Sequence, residues 1–291
     1  MTKKLEIGLR QARLLCRMTA VERLAFIAEG LPIILASAQG FWEASRQLSD
    51  RPREAEVLEG LATEEAAKIL ILMDAVRCPP KILPSKLGKI VRWFYDHLAR
   101  LIYAKAVPWY PVNVAQLRDY VASERKAHYV DGPVGEFIMP NWSLYQRESQ
   151  LYVDIQSDED GKPYWSTRAV GYVNPSLSVE PPALWLTEAM EALGLFTVQG
   201  LTTTAEVWGQ VEFTEKEGPE DAERLTRQLI GRLVELGLPS DSATQAHVNT
   251  FYRWQLPMYN FDLSIIDVPL DELKAEQEAL FWSEVGDAGT Y

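Results

Sequence analysis

Between Thr19 and Tyr129 the apolar residues recur three or four positions apart, and prolines fall near the ends of most of these stretches. That period is the signature of amphipathic helices. Proline inside a helix removes a backbone donor and clashes with the preceding turn, so it divides one helix from the next. The first stretch opens with Thr19-Ala-Val-Glu22, where Thr19 and Glu22 are spaced to satisfy each other's backbone amides. Leu24, Ile27, Ala28, Leu31, Leu35, Ala38, Phe41 and Trp42 follow, with Gly30 and Pro32 predicting a kink or a break. A second helix is predicted from Pro52 to the Pro79-Pro80 pair, on Ala55, Leu58, Leu61, Ala62, Ala66, Ile69, Leu72, Met73 and Val76. A third runs from about Ser85 to Val107, closed by Pro108 and Pro111, and a fourth from about Asn113 to Tyr129. Short connections make these neighbours pack as an antiparallel bundle.

The character changes after Asp131-Gly132-Pro133. Leu151–Ile155 and Pro163–Ser166 read as two strands around the polar turn Ser157–Gly161. Helical patterns return near 182–194, 219–237, 241–254 and 269–283. The expectation is a mainly α protein: a helical bundle over 1–129, and over 130–291 a mixed, mostly helical addition with a small β-hairpin.

Charge divides at the same place. Residues 1–129 carry 20 Lys+Arg against 14 Asp+Glu, and residues 130–291 carry 9 against 27, for a net −12. Phosphate attraction needs a local positive field rather than a positive total. The densest basic stretch is 77–105, with Arg77, Lys81, Lys86, Lys89, Arg92, Arg100 and Lys105 against Asp96 alone. A solvated helix face is the plain alternative for such a run. No stretch of roughly 18 consecutive apolar residues is present, so no membrane span is expected. The charged start lacks a secretory signal pattern, and Cys16 and Cys78 in so long a chain suit a reducing cytoplasm. Three histidines and two cysteines, widely scattered, make no zinc cluster by themselves, and no cofactor is expected. The acidic run Asp158-Glu-Asp160 has the donors for a hard cation but reads equally as a solvated turn.

Arg92-Trp-Phe-Tyr-Asp-His97 is an Arg-x4-His arrangement, a spacing common by chance. On one ideal helix, His97 lies about 80° from the centre of the apolar face of Leu87, Ile90, Val91, Phe94, Leu98 and Leu101. Arg92 is about 140° from His97, with Asp96 and Arg100 between them. A partly buried histidine beside an ordinary Asp96–Arg100 pair is the plain reading. Glu64 and Lys68 are likewise spaced as an exposed ion pair. Trp142, Tyr145, Tyr152, Tyr164 and Trp165 are read as core packing or a protein interface, since base stacking is opposed by the acidity around them. No serine nucleophile elbow and no phosphate-binding glycine loop is present.

Residues 20–107 resemble the HEPN superfamily, within it the abortive-infection type V (AbiV) group. The resemblance rests on Glu29–Trp42 as the first long helix, on Ala62-Thr-Glu-Glu-Ala-Ala-Lys68 as its Glu-Glu-x-x-Lys element, and on Phe94–Arg100 as the helix bearing the signature histidine. It implies a ribonuclease site made by Arg92 and His97, with Glu64, Glu65 and Lys68 near the cleft in support of His97, and a composite site shared by two copies. The polar residue that often follows the family's arginine is Trp93 here, and the acidic residue stands before the histidine as Asp96.

The chemistry fits RNA, which carries its own nucleophile in the 2′-OH. A histidine can move the proton and an arginine can grip the phosphate through two hydrogen bonds, with no metal required. The expectation is a metal-independent endoribonuclease of toxin or antiviral-defence type, a cytoplasmic homodimer acting on RNA. His97, Arg92 and Asp96 form its site, and Arg100, Lys89 and Lys86 hold substrate. A non-catalytic protein-binding module, contacting its partner through the acidic second half, is the alternative. An enzyme with its site within 130–291 is a third reading.

Overall fold

The computed structural model describes residues 12–126, 128–130, 138–139, 141–157, 162–166, 179–254 and 256–287. They form a mainly helical protein with two small antiparallel hairpins. A 3-10 turn, Arg13–Arg17, precedes α1 (Ala20–Arg46), α2 (Pro52–Arg77), α3 (Leu83–Trp93), α4 (His97–Ala106) and α5 (Val114–Lys126). Tyr129–Val130 (β1) pairs with Ile138–Met139 (β2). Then come α6 (Trp142–Leu151) and the hairpin of Asp154–Ser157 (β3) with Pro163–Ser166 (β4), in which Ile155 faces Trp165 across the pair. The chain continues through α7 (Pro182–Ala192), α8 (Val198–Trp208), α9 (Pro219–Glu235), α10 (Gln245–Phe251) and α11 (Leu270–Asp287). Of these, α6 and α8 were not foreseen in the sequence. The acidic run 158–160 and the 131–133 junction lie outside the described residues.

The first helix opens as its sequence predicts. Thr19 N–H donates to Glu22 Oε2 at 2.8 Å, and Glu22 N–H donates to Thr19 Oγ1 at 3.3 Å. The expected kink or break at Pro32 does not divide it: one helix runs from Ala20 to Arg46. Ile27, Leu31, Leu35 and Ala38 are buried on both sides of the proline, which itself faces solvent, so packing against α2 holds the two halves on one line. By length and composition alone α1 is apolar enough to cross a membrane, with a mean hydropathy of 1.5 over its best window. A core helix passes the same test, and this one packs Ile27, Leu31, Leu35 and Ala38 into the core while carrying Glu29 within the apolar stretch.

The predicted third helix is in fact two. Trp93 closes α3, Asp96 turns extended at φ −92° and ψ 121°, and its carboxylate accepts the Ala99 N–H at 3.0 Å to start α4. Aspartate at this position satisfies an amide that the helix start would otherwise leave open. The 140° offset between Arg92 and His97 belonged to a continuous helix and does not apply.

One hydrophobic core runs from Leu15 to Leu263, through both halves of the chain. At its centre lies a charged pair with no exposure. Asp74 Oδ1 accepts from Arg77 Nε at 2.7 Å and lies 2.6 Å from Nη2 as an ion pair, while Oδ2 accepts from Tyr103 Oη at 2.6 Å and from the Met258 N–H at 2.7 Å. The Arg77 guanidinium lies 4.1 Å from the Trp254 ring centre and 5.1 Å from that of Trp208. Breaking such a pair strands a charge in the interior. The Asp74→Ala chain is therefore expected to lose about 3–5 kcal/mol of stability, measured as a lowered urea midpoint.

Candidate functional site

Glu64 on α2 is almost fully buried, with 5% of its side chain exposed, yet it is ionised. Burial alone pushes its carboxyl up. Hydrogen bonds from His97 and Arg147 outweigh that and hold it down at about 2. The cations come from two other helices. His97 Nδ1, on the first residue of α4, lies 2.7 Å from Glu64 Oε2. Arg100 Nη1, one turn later, reaches the same oxygen at 3.1 Å, and Arg147 Nε, on α6, reaches Oε1 at 2.6 Å.

The break between α3 and α4 is part of this arrangement. Arg100 Nε donates to the Phe94 carbonyl at 2.9 Å, so one guanidinium both caps the loose end of α3 and binds the buried carboxylate. The Asp96 cap places His97 at the start of α4, where its side chain keeps 44% exposure. A carboxylate accepts only, so Nδ1 carries the hydrogen, and in the neutral ring Nε2 is left as the acceptor. A buried anion that fixes tautomer and direction, with part of the ring open to solvent, is an arrangement suited to proton transfer.

Other expected site residues fall elsewhere. Asp96 is a helix cap and makes no bond to the imidazole. Arg100 does not pair with Asp96 and, at 10% exposure, is closed to a substrate because Glu64 holds it. Lys68 pairs with Glu65 rather than Glu64, and its ammonium lies 5.6 Å from the Phe94 ring centre. Of that polar trio, Glu64 is the one that hydrogen-bonds His97. Arg92 is exposed near the end of α3 and makes no ion pair among the described residues.

The basic run does not form a single face. Arg77 and Arg100 are buried on carboxylates, Lys105 meets Glu124 at 2.8 Å, and Lys89 lies 4.0 Å from Asp262. Lys81, Lys86 and Arg92 remain without an acidic partner among the described residues. Both thiols are free, Cys16 exposed and Cys78 buried. Among the described residues no group of three His, Cys, Asp or Glu side chains is placed to hold a metal ion.

Arg147 was not anticipated. It stands 83 positions from Glu64, and α6 brings it there. Asn141 caps α6 by accepting the Leu144 N–H at 3.0 Å, and its amide donates to the Glu124 carbonyl at 3.0 Å, tying α6 to the end of α5. Lys105 bonds Ser143 at 2.7 Å, and Arg53 bonds the Gln150 carbonyl at 3.1 Å, which fix α6 against α4 and α2. The Asn141–Leu144 spacing was the available sign of a helix start. Nothing in the sequence pointed from Arg147 to Glu64.

The aromatics of this region are not core. Tyr152 is 57% exposed and Trp165 70%, and Trp142 stacks on Tyr145 near the surface.

Comparison of the chain with family models, with curated proteins and with solved structures gives no match.

Glu64 makes a definite acid signature. Its folded-state carboxyl is held below the ordinary value of 4.5, so its contribution is complete above that value and is lost as pH falls toward about 2. Urea denaturation at stepped pH should show this loss in the wild type and not in the Glu64→Gln chain. At neutral pH Glu64→Gln should cost about 3–5 kcal/mol, because Arg100 is then buried without its counter-ion.

Proposed function

We propose that this chain is a metal-independent endoribonuclease of the HEPN type, a cytoplasmic protein of toxin or antiviral-defence kind. The observation that carries the reading is the His97 imidazole, part-exposed and fixed through Nδ1 on the buried, ionised Glu64. In the proposed reaction a His97 Nε2 takes the proton of an RNA 2′-OH. The 2′-oxygen attacks the adjacent phosphorus, the bond to the 5′-oxygen breaks, and a protonated imidazole returns a proton to that leaving oxygen. The products are a 2′,3′-cyclic phosphate and a 5′-hydroxyl. Arg92, exposed and without an acidic partner among the described residues, grips the phosphate. One group must accept a proton while another donates one, and a homodimer supplies the second His97. Light scattering is therefore expected to report a dimer.

A protein-binding module is the second reading. It is favoured by the exposed hairpin, where Ile155 at 65% and Trp165 at 70% exposure stand opposite each other.

Pure protein in EDTA is expected to cleave RNA. His97→Ala should lower the rate by about 10²–10⁴ while leaving the fold nearly intact, since the ring contributes little core area. Arg92→Lys should also lose activity, because a point charge does not reproduce a two-pronged phosphate contact. Full cleavage by the His97→Ala chain, or cleavage that EDTA stops, would sink the mechanism. If wild type leaves RNA intact while Trp165→Ser abolishes the chain's biological effect, the second reading replaces the first.

A further inference from the structure

Beyond the far end of α4 from His97, the chain opens a concavity. Its volume is about 420 Å³, and Trp109, Tyr110, Tyr252, Trp254, Arg253 and Glu223 are among the residues lining it. That size lies within the usual range for small-ligand sites, roughly 300–1,000 Å³.

The walls are of two kinds. Trp109 is stacked on Tyr120 of α5, ring centres 4.5 Å apart and planes within 15°, and Trp254 is held by the Arg77 guanidinium on its ring. These two indoles are fixed by the core. Tyr110 at 64% exposure and Tyr252 at 39% present their rings to solvent. Flat apolar faces of this kind stack on planar rings of any identity.

Charge at the rim decides between ligand classes. Glu223 is already paired with Arg227 at 2.6 Å. Arg253 is exposed and makes no ion pair among the described residues. The cationic group left open at this rim is therefore a guanidinium, whose planar fork matches phosphate oxygens. The accessible aromatic rings alone would equally suit a quaternary ammonium ion, but Arg253 repels one.

We infer that this cavity is a nucleotide-binding site, with the base against the Tyr110, Tyr252 and Trp109 rings and the phosphate on Arg253. A free mononucleotide and one unit of a single-stranded RNA share that chemistry. The inference does not depend on cleavage at His97.

Calorimetric titration of the full chain with AMP, with adenosine, with an oligoadenylate hexamer and with choline tests it. AMP is expected to bind, and to bind more weakly as salt is added. Arg253→Gln should weaken AMP by about tenfold and bring it to the level of adenosine. Tyr252→Ala should weaken it about as much, and Tyr252→Phe should restore it. A hexamer that binds tighter than AMP and still needs Arg253 identifies the source as RNA, while equal affinities identify a free nucleotide. His97→Ala should leave AMP binding unchanged. Both tested side chains are exposed, so circular dichroism of the variants should match the wild type. The inference is overturned if AMP gives no binding at millimolar concentration, if neither substitution alters its affinity, or if choline binds in its place.

Discussion

The ion pair of Asp74 and Arg77 is the constraint on which the rest of the molecule turns. Taking two charges out of water costs several kcal/mol for each, and the pair is tolerable only when every oxygen is matched. Here one carboxylate takes the guanidinium, a phenol and a backbone amide, and so joins α2, α4 and the segment at Met258. The Tyr103 phenol is pushed well up by its burial and then by Asp74, which keeps it a donor. Two tryptophans from beyond α7 close over the guanidinium. The acidic second half of the chain is thus built into the same core as the basic first half.

That constraint also sets the site. Glu64 precedes Asp74 by ten residues on α2, about 15 Å along the axis. On α4, His97, Arg100 and Tyr103 follow at steps of three, one polar stripe down one side of the helix. The early part of the stripe meets Glu64 and the late part meets Asp74, so α4 runs in the same sense as α2. Fixing Tyr103 on Asp74 therefore helps to hold His97 on Glu64.

Local signals in the sequence were legible wherever local bonds decide. The Thr19–Glu22 box, Pro52 at the start of α2 and the hairpin around the polar turn were all read from neighbours in sequence. Reading failed where distant partners decide. The apolar repeat from Leu87 to Leu101 continues straight through the break at Asp96, because it records which residues face the core and not which carbonyls are satisfied. The carbonyl of Phe94 is satisfied by Arg100, and Glu64 by helices 33 and 83 positions away. Counting charges failed for a related reason. Arg77 and Arg100 are among the most basic groups of the run 77–105, and both are interior.

The same geometry says what kind of help Glu64 gives His97. A lone carboxylate beside an imidazole would both orient it and draw its proton strongly. Glu64 is shared with Arg100 and Arg147, each hydrogen-bonded to it, so much of its negative charge is already offset before the imidazole meets it. With its carboxyl at about 2 it stays an acceptor at every physiological pH. What remains for His97 is direction: Nδ1 is held toward the carboxylate and kept as a donor. A carboxylate flanked in this way positions the imidazole through Nδ1 and leaves the other side of the ring open to solvent.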